Sequence, residues 1–158
     1  MRKIVVLIVF FIYGCTNTPY LQEDSAFIVW KSSVLRYADM GFLYQNKDEV
    51  KLQIYSNAQS VMSLRVTQDY ICMSSLECMS KRDFNQKVLS GSYPKNILTN
   101  ILKAQPIFGK KYIKYTQTGF IQEIKKQNLY TIKYKVSKNR VEFVDSYNHI
   151  MIKIIKDI

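Results

Sequence analysis

The sequence has few of the residues on which enzyme chemistry usually depends. It contains one histidine, His149, and five glycines in 158 residues. A Ser-His-Asp triad around His149 would have to use its neighbours Ser146 and Asp145, and side chains on alternating faces of a strand cannot converge on one proton path. The glycines form no phosphate-binding loop, and the acidic residues lack the spacing of a calcium loop. We therefore predict that the protein is not an enzyme and binds no metal or cofactor.

The sequence also lacks an apolar run long enough to cross a bilayer. The run from Ile4 to Tyr13 is apolar throughout, but a membrane-spanning helix needs roughly 20 such residues. Arg2 and Lys3 precede this short run, and the order is typical of the positive and apolar regions of a secretory signal peptide. We therefore predict a signal peptide at residues 1–14 and export of the protein.

The apolar run ends in Ile12-Tyr13-Gly14-Cys15, which resembles the lipobox of bacterial lipoproteins. The resemblance implies a diacylglycerol on the Cys15 thiol, cleavage before Cys15 and an acyl chain on the new amine. Two or more acyl chains anchor a protein stably in a membrane. Thr16 stands where an Asp in this family often directs retention at the inner membrane, so the resemblance implies the outer membrane of a bacterial cell envelope, facing the periplasm. An ordinary signal peptide or an uncleaved anchor, with an incidental cysteine, is the alternative.

The remaining chain predicts a tether and one domain. Residues 15–25 hold the cysteine and a polar segment with a proline, which is typical of a flexible tether. Residues 26–158 contain no Gly-, Ser- or Pro-rich linker and no repeat, and their length suits a single domain with its own hydrophobic core.

Positive charge is concentrated in the second half of the chain. The formal net charge is +11, and residues 103–140 hold ten basic residues and one acid, Glu123. We predict a basic face formed by Lys110, Lys111, Lys114, Lys125, Lys126, Lys133 and Lys135. Because an exported protein meets no nucleic acid, the expected partner of such a face is an anionic lipid or an envelope polysaccharide. The alternative is a solvated face whose lysines only keep the protein soluble.

Two cysteines remain once Cys15 is assigned to lipid. Cys72 and Cys78 form an even pair in an oxidising compartment, and the five residues between them can fold into a hairpin. We predict a structural disulfide, with two buried free thiols as the alternative. Residues 71–76 would form an exposed tip of this hairpin, on which Met73 and Leu76 are candidate contacts to lipid or to a partner.

Alternation of apolar and polar residues dominates the rest of the chain, and it is typical of antiparallel strands packed on one side. The predicted strands include residues 26–30, 37–44, 50–56, 60–67, 130–136 and 149–155. We expect about six strands in the first part of the chain and four or five at its end. The twelve tyrosines and eight phenylalanines suit pocket walls and membrane interfaces, or equally the half-exposed faces of strands.

Residues 80–104 break the alternation and predict a helical insert. Ser80 is a candidate N-cap with Asp83 in the first turn, and Pro94 suits the first position of a second helix. The apolar side of each helix needs a sheet to cover it. We therefore predict a mainly β (α+β) fold, in which a curved antiparallel sheet or incomplete barrel carries a short helical hairpin on its concave face.

This order of elements is similar to that of the LolA/LolB family of lipoprotein carriers and receptors, over most of residues 26–156. The resemblance implies an incomplete barrel that wraps around helices and holds acyl chains, and the predicted anchor makes the receptor-like LolB the closer member. We therefore predict a membrane-anchored envelope lipoprotein that binds an acyl chain or another apolar ligand. The alternative is a structural or assembly lipoprotein that binds an envelope protein partner.

Overall fold

The computed structural model of the protein describes residues 19–74 and 77–156, which form one antiparallel sheet and two short helices. The strands are β1 (Gln22–Lys31), β2 (Arg36–Gln45), β3 (Val50–Ser56), β4 (Gln59–Val66), β5 (Tyr70–Met73), β6 (Glu77–Ser80), β7 (Ile113–Thr116), β8 (Gly119–Lys126), β9 (Tyr130–Ser137), β10 (Arg140–Asp145) and β11 (Ile150–Lys156). The helices are α1 (Lys81–Val88) and α2 (Ile97–Leu102), and a 3-10 turn follows at Phe108–Lys110. The predicted signal peptide, Cys15 and the beginning of the tether lie outside the described residues.

The strands lie in the order β6-β5-β4-β3-β2-β1-β11-β10-β9-β8-β7. Neighbours in the sheet are neighbours in the chain except for β1 and β11, which pair antiparallel with Trp30 opposite Ile152. Within the described residues β6 and β7 form the two edges, so the sheet is open. The predicted mainly β fold is confirmed, with six strands before the helices and five after them.

The alternation in the sequence decides which side of each strand is buried. Val50, Leu52 and Ile54 of β3 are 0% exposed, whereas Lys51 and Gln53 between them are half-buried on the other side of the sheet. The alternation predicts the inward residues of three more strands, and all of them but Val136, which is half-buried, are buried as well: Met62, Leu64, Val66, Tyr130, Ile132, Tyr134, Ile150, Ile152 and Ile154.

Two short helices cannot cover a flat sheet of eleven strands. At about 4.8 Å between strands, such a sheet would be about 48 Å wide, whereas α1 and α2 are about 12 and 9 Å long. Most inward side chains of β1 to β5 and of β8 to β11 are nevertheless buried. The sheet therefore curves, and its inward side chains pack against each other as well as against the helices.

The two helices begin differently from each other. Ser80 caps α1 as predicted, since its Oγ accepts a hydrogen bond of 3.1 Å from the backbone N–H of Asp83. Pro94 does not begin α2, so that expectation is wrong. Its carbonyl accepts hydrogen bonds of 3.0 Å from the Ile97 N–H and the Asn85 side chain, and Pro94 therefore closes the turn that precedes the helix.

Candidate functional site

The concave face of the sheet is lined almost entirely by aliphatic and aromatic side chains. Trp30, Tyr134 and Phe143 of the sheet and Phe84 of α1 are among its largest fully buried members. The buried polar residues of the described chain are Ser32, Lys81, Asn85, Gln122 and Asp145. The space between sheet and helices is therefore the candidate site for an apolar ligand, and its few polar groups determine how the helices are held there.

Among residues 19–74 and 77–156, Trp30 carries the one buried side-chain donor of this face that lacks a partner. It is the only tryptophan of the chain, it is 0% exposed, and it lies opposite Tyr37 of β2. Its indole Nε1 donates to no acceptor among the described residues. Leaving a buried donor unpaired costs about 1–3 kcal/mol, and nearly all such groups in proteins are paired. A carbonyl or ester oxygen of a bound ligand would supply the missing acceptor.

A cavity of about 770 Å³ lies around β4, where Lys51, Ser63 and Arg65 line it from the outer face of the sheet and other residues line it at the edge of the concave face. Its lining includes Tyr37, Met62 and Met73, which belong to the core or pack against it. We call these three residues the rim. Tyr37 is the direct cross-strand neighbour of Trp30, so the rim lies next to the unpaired indole.

One end of the helical segment is held to the sheet by Tyr93 and Asp145. The Tyr93 hydroxyl donates a hydrogen bond to the Asp145 carboxylate, which is 0% exposed at the end of β10. The carboxylate also accepts bonds of 3.0 Å from the Thr131 N–H and of 2.6 Å from the Asn148 side chain. Burial and the hydrogen bond to Asp145 raise the pKa of Tyr93 well above its ordinary value. Burial opposes ionisation of Asp145, but the hydrogen bonds that it accepts outweigh burial and lower its pKa.

The segment after α2 is held by Gln122, which is 0% exposed and points inward from β8. Its Oε1 accepts a bond of 2.8 Å from the Ile107 N–H, and its Nε2 donates to the carbonyls of Ile107 and Lys111 at 3.0 and 2.7 Å. At the end of α2, Lys103 Nζ donates to the carbonyl of Asn46 at 3.3 Å. The helical segment is thus joined to strands on both sides of the curved sheet.

Lys81 joins the two helices to each other. Its side chain is 5% exposed, and Nζ donates to Asn96 Oδ1 at 3.2 Å and Thr99 Oγ1 at 3.0 Å. Burial, followed by the nearby charge of Lys95, lowers the pKa of Lys81. Since these acceptors are neutral, the charge is stabilised by hydrogen bonds and not by a direct ion pair.

The predicted cysteine pair is placed to form a disulfide. Cys72 of β5 lies directly opposite Cys78 of β6 in the hairpin, with Cα atoms 3.9 Å apart. Cys72 is buried and Cys78 is exposed, so the alternative of two buried thiols is wrong for Cys78. Both residues line the 770 Å³ cavity, so a disulfide between them would fix the hairpin that forms one side of it.

The other predicted contact residues have mixed outcomes. Ile71 and Cys72 are buried and Met73 is half-buried against the core, so this strand is not the exposed tip that the sequence suggested. Met73 instead lies on the rim of the candidate site. Leu76 and Cys15 lie outside the described residues, and their roles stay predictions.

The seven lysines of the predicted basic face are all exposed, but they do not form one surface. Lys114, Lys125, Lys133 and Lys135 share the outer face of β7 to β9, opposite the concave face. Lys133 makes an ion pair of 3.1 Å with Glu123 on the neighbouring strand. The other three predicted lysines lie elsewhere: Lys110 and Lys111 at the 3-10 turn, and Lys126 on the alternate side of β8 at its end.

The residues near His149 are structural. Asp145 is buried and binds Tyr93, whereas Ser146 and His149 are exposed in the turn between β10 and β11. His149 has a positive φ of 56° at the end of that turn.

Sequence reasoning missed Trp30, Tyr93, Gln122 and Asp145 as site residues. One indication was present, because Gln122 occupies an inward position between Phe120 and Ile124, where a polar residue is unusual in a buried face. No local pattern relates Tyr93 to Asp145, which are 52 positions apart.

Within residues 19–74 and 77–156, no three His, Cys, Asp or Glu side chains are arranged to hold a metal ion. No helix of that part of the chain has the length and apolar character needed to span a membrane. No protein-family model matches the chain, and no curated protein matches it significantly.

Proposed function

We propose that the protein is a lipid-anchored lipoprotein of the bacterial cell envelope that binds an acyl chain or another apolar ligand on its concave face. The observation that carries this proposal is the unpaired Nε1 donor of Trp30 in an otherwise apolar, fully buried surface. An acyl ester offers a long apolar chain for that surface and a carbonyl oxygen for the indole.

The order of elements supports the same proposal. Six strands, a helical segment and five strands form an open sheet around the helices, which is the arrangement that the resemblance to LolA/LolB implies. Under this proposal the closer relation is to the receptor-like LolB, because Cys15 carries diacylglycerol and an N-acyl chain. The domain then faces the periplasm from the outer membrane, where the Cys72–Cys78 pair is oxidised.

Ligand access requires movement of the protein's own side chains. Trp30, Phe84 and Phe143 are 0% exposed, so an acyl chain must displace part of this packing. The 770 Å³ cavity at the rim offers a point of access, because Tyr37 lines it and is the cross-strand neighbour of Trp30. The hydrogen bonds of Tyr93 and Gln122 hold the helical segment in place during this exchange.

The single tryptophan allows a direct test. A mature chain that starts at Thr16, and so carries no lipid of its own, is titrated with dibromostearate, whose bromine atoms quench indole fluorescence on contact. We expect saturable quenching of Trp30, and no quenching by unbrominated stearate. A matched variant carries Trp30→Phe and Tyr112→Trp, which moves the indole to an exposed position just before β7 (Tyr112 is 70% exposed). Absence of saturable quenching, or equal quenching in both proteins, would contradict the proposal.

A native mass spectrum of the same chain provides the second measurement. A lipid-sized adduct that is retained in the native spectrum and lost on denaturation supports ligand binding. A bare native mass together with unquenched Trp30 fluorescence would remove this function from consideration.

A second candidate function is structural or assembly binding of an envelope protein. The observation that favours it is that the protein's own side chains already fill the concave face, with Trp30, Phe84, Tyr134 and Phe143 all 0% exposed. Partner binding through the lysines of β7 to β9 would weaken as salt concentration rises. Cross-linking from those lysines in cell envelopes, at low and high salt, tests this candidate.

A further inference from the structure

The outer face of the sheet carries a continuous group of apolar side chains near the start of the domain. We call this group the aromatic patch; its members are Tyr20, Phe27, Met40, Phe42, Tyr44 and Tyr55. Met40 is 46% exposed, Phe27 38%, Phe42 37% and Tyr20 36%. Outward positions of a sheet with one buried face are normally polar, so these residues depart from the usual pattern.

The rings of the aromatic patch contact each other across β2 and β3. The ring centroids of Tyr20 and Tyr44 are 5.4 Å apart, those of Phe42 and Tyr44 are 6.2 Å apart, and Phe42 and Tyr55 make an edge contact at 5.7 Å. Phe27 and Met40 are direct cross-strand neighbours and extend the patch along β1 and β2. A connected exposed apolar surface of this kind usually marks an interaction site.

The length of the tether limits what can cover the patch. Tyr20 follows Cys15 by five residues, and five residues span at most about 18 Å even when fully extended. If Cys15 carries acyl chains in the bilayer, the aromatic patch begins within that distance of the membrane surface.

We propose that the aromatic patch lies against the lipid bilayer and fixes the orientation of the anchored domain. This inference rests on the proposed lipidation of Cys15. Tyrosine suits a membrane–water interface because its ring enters the apolar region while its hydroxyl stays hydrated. With the outer face of β1 to β3 against lipid, the concave face and its helices point away from the membrane.

Charged side chains lie beside the aromatic patch on the same outer face. Lys51 lies 5.5 Å from the centre of the Tyr44 ring, and Arg65 is opposite Lys51 on β4. The Tyr20 hydroxyl donates to Glu49, and Glu23 lies opposite Tyr44. Lys31 and Arg36 lie opposite each other further along the same outer face, so cations outnumber carboxylates there. Binding should therefore be stronger with anionic lipid and weaker at high salt.

The test compares the oxidation of side chains by hydroxyl radicals with and without a membrane. The full lipoprotein, with lipid attachment verified by intact mass, is placed in vesicles of phosphatidylethanolamine and phosphatidylglycerol. The mature chain that starts at Thr16 is measured in solution. We expect Met40 and Phe42 to be oxidised several times more slowly on vesicles, and Tyr112 and Tyr115, which are 70% and 72% exposed, to react equally in both. Equal rates for Met40 and Phe42 in the two samples would overturn the proposal.

A variant measurement separates the patch from the anchor. The unlipidated chain from Thr16 is mixed with the same vesicles, and a variant with Met40→Ser and Phe42→Ser should bind about tenfold more weakly. The matched control, Tyr112→Ser with Tyr115→Ser, removes two exposed rings outside the patch and should bind like the parent. Equal binding of both variants would contradict the proposal.

The outcomes distinguish failure of the patch from failure of the anchor. If the mass of the purified full protein shows no lipid, the proposed lipidation of Cys15 is wrong. Vesicle binding by the unlipidated chain still decides whether the aromatic patch contacts lipid. A second copy of the chain is the competing occupant. It would protect Met40 in solution and double the native mass there, and that result would overturn the proposal.

Discussion

The concave and outer faces of the sheet use alternate residues of the same strands for different purposes. On the concave face, Leu52 and Ile54 are 0% exposed, whereas Met40 and Phe42 on the outer face of the neighbouring strand are 46% and 37% exposed. Inward residues hold the curved sheet and its helices together, and outward residues are free to contact another surface. Inward substitutions should therefore change the free energy of unfolding, and outward substitutions should mainly change binding.

The largest effect is expected at Asp145 on the concave face. Asp145→Ala removes the carboxylate that accepts hydrogen bonds from Tyr93, Thr131 and Asn148, and each of these donors loses that bond. We expect the free energy of unfolding to fall by about 3–4 kcal/mol, measured by urea denaturation. Ser146→Ala, at the adjacent exposed position, is the control and should change it by less than about 0.5 kcal/mol. Similar losses of unfolding free energy in both variants would contradict the expectation that inward residues carry the stability of the fold.

The pH dependence of stability offers a second test at the same position. The pKa of Asp145 in the folded protein lies below the ordinary value of 3.8, so its ionised form stabilises the fold. That contribution is complete above the unfolded pKa and is lost as pH falls through the folded pKa. The parent should lose stability below about pH 4, and Asp145→Asn should lose less over that interval. Equal slopes in the two proteins would show that other carboxylates, such as Glu142 with its lowered pKa, account for the acid sensitivity.

The next effect concerns how the helical segment is held. Gln122→Leu keeps the volume of the side chain but leaves the Ile107 N–H and the carbonyls of Ile107 and Lys111 without their partner. We expect a loss of about 2–3 kcal/mol by urea denaturation, with faster hydrogen exchange in the segment after α2. Gln117→Leu, in an exposed turn, is the control. Unchanged exchange after Gln122→Leu would show that the side chain does not hold this segment.

Removing the cysteine pair should have an intermediate effect. The bond would close a loop with a sequence separation of 6, for which chain entropy predicts about 2 kcal/mol. We expect the double variant Cys72→Ser, Cys78→Ser to lose about that amount relative to the oxidised parent. Reduction of the parent should produce a similar loss, while reduction of the variant should change nothing. A parent insensitive to reductant would mean that the pair is not oxidised.

The smallest effect is expected for an ion pair on the outer face. Glu142 and Lys153 are 2.9 Å apart, and each side chain is 25% exposed. Glu142→Gln should lower the free energy of unfolding by about 0.5 kcal/mol at low salt and by less at high salt. The same measurement on Asp145→Ala should depend little on salt. A loss at Glu142 as large as that at Asp145 would remove the distinction between the two faces.

Much of the fold was predictable because alternation is a local property. The inward residues of β3, β4, β9 and β11 followed from the period of two along each strand, and the Ser80 cap followed from a neighbouring Asp83. The prediction that Pro94 begins the second helix was wrong, because its carbonyl accepts a hydrogen bond from Asn85 of the preceding helix. That contact depends on how the two helices pack.

The candidate site was less predictable because its groups come from distant parts of the chain. Composition indicated many lysines between residues 103 and 140, but register placed only four of the seven predicted ones together on β7 to β9. Met73 was predicted to be exposed, yet it packs against the core, because its side of β5 faces inward opposite Leu64.

The sequence by itself determined the strands, their buried sides and the cysteine pairing across a hairpin, because each depends on residues close together in the chain. Only the tertiary structure decided that Tyr93 meets Asp145, that Gln122 holds the chain after α2, and that Trp30 has no acceptor in the part of the chain that the structure describes. It also brought the outward rings of β2 and β3 beside Tyr20. The physical reason is that curvature and strand order, which bring distant residues together, arise from the packing of the whole sheet and not from any single segment.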